Sequence, residues 1–127
     1  MQTAALTTYL VLATVFGPPS EDRWNRGGHA CAGPAHQKVR PWTPEARDLH
    51  DRGLVVAATT LPCWTVIEVC VPRTGRCSRA AVADVLPQKK WRSPNDLDLW
   101  KTLARVLRHN GMERVRWQLA KNRKPNT

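Results

Sequence analysis

The residues of this 127-residue chain with the most definite chemistry are its four cysteines, Cys31, Cys63, Cys70 and Cys77. An even count in a short chain permits two disulfides, and no pair has the Cys-x-x-Cys spacing of a zinc ribbon. Cys70 and Cys77 flank the turn Pro72-Arg73-Thr74-Gly75-Arg76, so a hairpin would bring them opposite each other within bonding reach. Cys31 is then left to Cys63. His29 and His36 stand on either side of Cys31 and would suit a metal with it. The disulfide reading is preferred, and no metal or other cofactor is expected. Disulfides place the chain in an oxidising, extracytoplasmic setting.

The second chemical signal is cationic and aromatic. Twenty Lys and Arg face ten Asp and Glu, a net charge of +10 that attracts polyanions: nucleic acid, wall polymer or anionic membrane. A solubilising surface is the plain alternative. Of the six Trp, four lie in loop-like sequence beside Pro, Arg, Lys or Cys: Trp24, Trp42, Trp64 and Trp91. An indole next to a cation stacks well on a sugar ring or a base. Trp64 and the run Lys89-Lys90-Trp91-Arg92 are the candidate ligand contacts, whereas Trp100 and Trp117 fall on apolar faces and read as core. No apolar run approaches the ~20 residues of a membrane span.

These residues must be positioned by short elements. Thr8–Phe16 is rich in β-branched and aromatic types and reads as a strand, stopped by Gly17-Pro18-Pro19. No basic residue precedes Arg23, so a strand is preferred to a signal peptide over the same residues. A long loop follows over 20–43, with Cys31 to tie it down. Thr43 and Pro44 suit the cap and first position of a short helical turn ending before Gly53. Leu54–Ala58 and Thr65–Val71 read as strands, the second with Ile67, Val69 and Val71 on one face. Ser78–Val85 returns across the hairpin. Pro87–Asn95 is a second loop, and Asp96–His109 reads as a helix with Leu99, Leu103, Val106 and Leu107 on one face. Val115, Trp117 and Leu119 alternate with Arg114, Arg116 and Gln118 in a last strand. Residues 1–120 are expected to form one domain and 121–127 a basic tail. The pattern predicts a mainly β protein: a small six-stranded barrel with one helix near the C-terminus and long loops.

The string 54–65, Leu-Val-Val-Ala-Ala-Thr-Thr-Leu-Pro-Cys-Trp-Thr, resembles the "AAHxTLPxGT" segment of double-psi β-barrels of the rare-lipoprotein-A type. Val82-Ala83-Asp84-Val85-Leu86-Pro87 is similar to that family's "VxDRGP", Asp96-Leu97-Asp98-Leu99 to its "xIDLS", and Ala13-Thr14-Val15-Phe16-Gly17 to its opening "ASxYG" strand. Val69-Cys70 with Gly75-Arg76-Cys77 resembles its hairpin, and Asn110 to Trp117 its closing strand. The resemblance covers nearly the whole chain in the right order. It implies a six-stranded double-psi barrel with a groove across it. It also implies a wall-polysaccharide target, as in peptidoglycan lytic transglycosylases and expansin-like wall looseners.

Cleaving a glycosidic bond needs an acid on the leaving oxygen. The resemblance puts Asp84 at the family's catalytic aspartate. The family's His, however, falls at Ala58, the Gly of "LPxGT" at Trp64, and "RG" at Val85-Leu86. Loss of a catalytic partner costs orders of magnitude in rate, so efficient catalysis is not expected. His36 and His50 are the possible substitutes. Asp98 reads as a helix-start acid that favours the dipole.

The function expected is a peptidoglycan-directed barrel that binds or weakly cleaves glycan. The first alternative is a non-catalytic structural part of a bacteriophage tail or capsid, which would meet the wall without a leader. The second is nucleic-acid binding, for which no recognised motif is present.

Overall fold

A computed structural model describes residues 7–17, 31 and 43–121. Within them lie six strands and two helices: β1 (Tyr9–Phe16), α1 (Pro44–Asp51), β2 (Val55–Ala58), β3 (Val66–Val71), β4 (Arg76–Val85), β5 (Leu97–Trp100), α2 (Lys101–Leu107) and β6 (Met112–Leu119). The strands close into a barrel in the order β1-β5-β2-β4-β3-β6. Two pairs are parallel, β1 with β5 and β2 with β4, and the other contacts are antiparallel. This is the double-psi β-barrel that the motifs imply.

Strand alternation builds the core. Val11, Ala13, Val56, Ile67, Val69, Leu97, Leu99, Val115 and Trp117 point inward and are buried, and Tyr9 stacks on Trp117 at 4.5 Å between ring centroids. The outer faces are mixed: Glu68, Asp98, Arg114 and Arg116 are polar, whereas Val55, Ala57 and Ala81 are buried apolar residues.

One expectation fails at the predicted helix Asp96–His109. Residues 97–100 are a strand, and the helix is confined to Lys101–Leu107. Leu99, Leu103 and Leu107 fit a helical face at spacings of four, but Leu97 and Leu99 also alternate with Asp98 and Trp100. Pairing with β1 and β2 on both sides decides for the strand. The helical turn expected near Pro44 is a full α-helix, with Thr43 Oγ1 accepting the Ala46 N–H at 3.1 Å. Arg79 of β4 holds it through two bonds to the Glu45 carboxylate at 2.6 and 2.7 Å.

Both disulfides are present: Cys70–Cys77 across the β3–β4 hairpin, and Cys31–Cys63. Cys31 is therefore unavailable to a metal. His29, His36, Trp24, Trp42 and most of the 20–43 loop lie outside the described residues, as does most of the basic tail. Among the described residues no helix is long and apolar enough to cross a membrane.

Gly17 ends β1 at φ +120°, and a Cβ there would stand 2.6 Å from Cζ3 of Trp100. Trp100 is 3% exposed and its ring meets Phe16 edge-on, so it has no room to retreat. Gly17→Ala should cost roughly 2–4 kcal/mol, combining a strained φ with overpacking. Urea unfolding would measure it, and a loss under 1 kcal/mol would mean that this corner is soft.

At the same end of the barrel, Glu113 accepts Arg73 Nε and Nη2 at 2.8 and 2.9 Å and the Asn110 N–H at 2.7 Å. The Arg73 hydrogen bonds, aided by the Asn110 N–H, hold the Glu113 carboxyl down at about 2 against an ordinary 4.5. Because the folded value is depressed, the contribution to stability is present above pH 4.5 and is lost as pH falls towards 2. Glu113→Gln should flatten the acid limb of a stability-against-pH curve within that window and leave its shape above pH 6 unchanged. An unaltered acid limb would show that Glu113 is not coupled to folding.

Candidate functional site

β4 would present Asp84 inward if its alternation were regular, because Ala80 and Val82 point into the core. A β-bulge prevents this. Val56 faces Val82, but the next residue, Ala57, faces Asp84, so Ala83 is the extra residue. A bulge reverses which face the following side chain occupies. Asp84 is thereby brought onto the outer face beside Ala57.

Ala57 also faces Asp98 of β5, and Asp98 faces Thr14 of β1. Asp84, Ala57, Asp98 and Thr14 thus form one row across four adjacent strands on the outside of the barrel. The two aspartates are two strand spacings apart, roughly 10 Å between Cα atoms, with only the methyl of Ala57 between them. A carboxylate thus stands on each side of a buried alanine, Ala57 being 4% exposed.

The carboxylates have different surroundings. Asp84 Oδ1 accepts the Val85 N–H at 2.8 Å. Asp98 is half-buried, and Thr14 Oγ1 donates to its Oδ1 at 2.8 Å. Burial raises the Asp98 pKa above the usual aspartate value. The Thr14 hydrogen bond and the Arg92 charge pull it down, and the Asp84 charge pushes it up, with a net rise. Asp98 therefore holds its proton to higher pH than a free aspartate does.

The loop 86–96 carries Lys89, Lys90 and Arg92, and of these the Arg92 charge acts on Asp98. Arg92 lies 4.6 Å over the Trp91 ring, and Trp91 is 66% exposed. Lys89 and Lys90 are exposed beside them. Gln88 Nε2 braces the turn by donating to the carbonyls of Lys89 and Arg92, at 3.1 and 2.7 Å.

Two residues are placed differently from expectation. Trp64, read as a ligand contact, is 2% exposed. Its backbone turns at φ +70° and its ring meets His50 edge-on, which buries the indole in the core cluster. Asp98, read as a helix-start acid, is a mid-strand residue in the carboxylate row. Its signal was available in the alternation Leu97-Asp98-Leu99, which the helical spacing of the leucines masked. Thr14, the donor to Asp98, was read only as a strand residue. His50 is 5% exposed on α1, with Nδ1 3.1 Å from the Asp51 carboxylate, and Ala58 lies in the core cluster. Among the described residues no group of three His, Cys, Asp or Glu could hold a metal ion.

No protein-family model and no curated protein matches the chain. Among solved structures it is similar to the apo form of the expansin of Clavibacter michiganensis, at 21% sequence identity and a TM-score of 0.56. The match covers 94% of this chain and 54% of the expansin chain, so this chain spans about half of that protein's length. At such identity the likeness is one of fold, and it is independent support for the double-psi barrel.

Proposed function

We propose that this barrel is directed at cell-wall polysaccharide and binds or weakly cleaves an anionic glycan, peptidoglycan being the first candidate. The observation that carries this reading is the row Asp84–Ala57–Asp98–Thr14, two carboxylates flanking one alanine, with Arg92 acting on Asp98 and the exposed Trp91 stacked against Arg92. A sugar ring stacks on Trp91, and Arg92, Lys89 and Lys90 meet carboxylates or phosphates of the polymer. The fold shared with an expansin favours a wall target by analogy. Two disulfides suit an extracytoplasmic place of work.

Any cleavage would use the difference between the two acids. The sequence points to Asp84 as the acid, but the surroundings favour Asp98 in that role. Protonated Asp98 gives its proton to the glycosidic oxygen as the C1–O bond breaks. Asp84 takes the proton of a sugar hydroxyl as that oxygen bonds to C1, so an anhydro end forms without water entering. The His of the family motif is not needed for this exchange.

The test incubates the oxidised chain with insoluble peptidoglycan and measures both pelleted protein and released anhydro-muropeptides. Pelleting with slow release, lost in Asp84→Asn and in Asp98→Asn, is expected. Pelleting without release reduces the reading to a binding module. Neither pelleting nor release would overturn it and leave assembly into a larger particle or nucleic-acid binding as the readings to pursue.

A further inference from the structure

We propose that Asp96 is a positioning residue of the candidate site: a buried strut between β1 and the β4–β5 loop that places Arg92 beside Asp98. The inference rests on reading the carboxylate row as the site. Asp96 is 7% exposed. Its Oδ1 accepts the Leu12 N–H of β1 at 3.1 Å, and its Oδ2 accepts the Ser93 N–H of the loop at 3.0 Å. One carboxylate thus joins two segments 84 residues apart in sequence.

An outward-facing loop of this length would ordinarily wander. Here further bonds close its last turn. The Asp96 N–H donates to the Ser93 carbonyl at 3.0 Å, Trp117 Nε1 donates to the Asn95 carbonyl at 2.9 Å, and the Arg92 N–H donates to Lys89 at 3.0 Å. Ser93 is the residue next to Arg92, so the Asp96 bond to Ser93 fixes the backbone from which Arg92 projects. Leu12 is two residues from Thr14, the residue that holds Asp98. The strut therefore ties the cation and the acid to the same stretch of β1.

Three groups face Asp98: the Thr14 hydroxyl from β1, the Asp84 carboxylate from β4 and the Arg92 guanidinium from the loop. β2 contributes Ala57, which has no charge. Of these, Arg92 is the one on a loop, so its influence depends on the loop's placement. Loss of the strut removes a cation from Asp98 and leaves Thr14 and Asp84 in place. Asp98 would then hold its proton more strongly, as a carboxyl does when an opposite charge leaves.

The test is a carboxyl-resolved NMR titration of Asp98 in the full, oxidised chain, compared among the native protein, Asp96→Asn, Arg92→Gln and the double variant. Asn keeps one acceptor oxygen for Leu12 but offers an amide, not an oxygen, to the Ser93 N–H. Both single variants should raise the Asp98 midpoint, and the double variant should raise it no further than Arg92→Gln alone. A rise in Arg92→Gln with none in Asp96→Asn would overturn the proposal, making Asp96 a fastener that does not set the cation. An unmoved midpoint in Arg92→Gln would overturn it too. Because Asp96→Asn also removes a negative charge two residues from Asp98, Ser93→Pro, which keeps that charge and takes away the loop-side N–H together with the hydroxyl that accepts the Asn95 N–H at 3.4 Å, must give the same rise. The titration needs no glycan, so a chain that ignores peptidoglycan could still pass it, and one that cleaves peptidoglycan could still fail it.

Discussion

Asp98→Asn is expected to abolish release of anhydro-muropeptides, a loss of 10²–10⁴-fold if general acid catalysis is at work, while leaving the barrel at least as stable at pH 7. The two halves of this result have one cause. Burial makes the Asp98 carboxylate costly, and Thr14 and Arg92 offset that cost incompletely, so its pKa is raised from the ordinary 3.8. A group with a raised folded value contributes stability fully below its unfolded value and loses it as pH rises through the folded one. Asn removes that loss and can still accept the Thr14 hydroxyl. Activity and stability should therefore move in opposite directions, a sign that the residue is kept for its chemistry. Paired thermal melts and release assays from pH 3 to 8 would show it. The melting curves of the two proteins should separate as pH rises past 3.8. A variant that loses both stability and activity at pH 7 would make Asp98 a structural residue after all.

The second large effect is expected from the Cys31–Cys63 bond. It spans 32 residues and anchors a 0% exposed sulfur residue in the core cluster, whereas Cys70–Cys77 spans 7. In the chain-entropy model, closing these spans is worth about 4 and about 2 kcal/mol. Replacing Cys31 and Cys63 by Ser should lower Tm by roughly 10–15 °C. Replacing Cys70 and Cys77 should cost about half as much, since β3 and β4 already meet through a short turn. Differential scanning calorimetry of the two double variants would decide. The reverse order would show that the long bond leaves the unfolded chain as free as before. A chain kept reduced would lose both contributions, which fits an oxidising place of work.

Much of the architecture was legible because it rests on local rules. The β3–β4 hairpin announced itself by alternating Ile67, Val69 and Val71 and a turn containing Gly75, and that hairpin dictated the Cys70–Cys77 pairing. Thr43-Pro44 marked a helix start by capping chemistry alone. The site was harder to see. Asp84 reaches the outer face through a bulge at Ala83, and nothing in Ala-Ala-Val-Ala-Asp signals an extra residue. Asp98 gains its meaning from Ala57 and Thr14, partners far away in sequence that strand pairing brings together. β5 has four residues, too few for alternation to outweigh leucines at helical spacing. Trp64 looked exposed because its neighbours are turn formers, and a left-handed backbone turns the indole into the core instead.

The pairing of β1 has a consequence for how the chain is made. β1 meets no strand from the middle of the sequence, since its partners are β5 and β6. Thr8 and Gln118, which are hydrogen-bonded, are 110 residues apart. β1 must therefore wait for β6 before the barrel can shut. Contacts of such long range make folding slow. Until β5 has been made, Asp98 cannot reach Thr14, and the acid row stays unassembled. The row draws on strands from both ends of the barrel's sequence, so it comes together only after most of the barrel has been made.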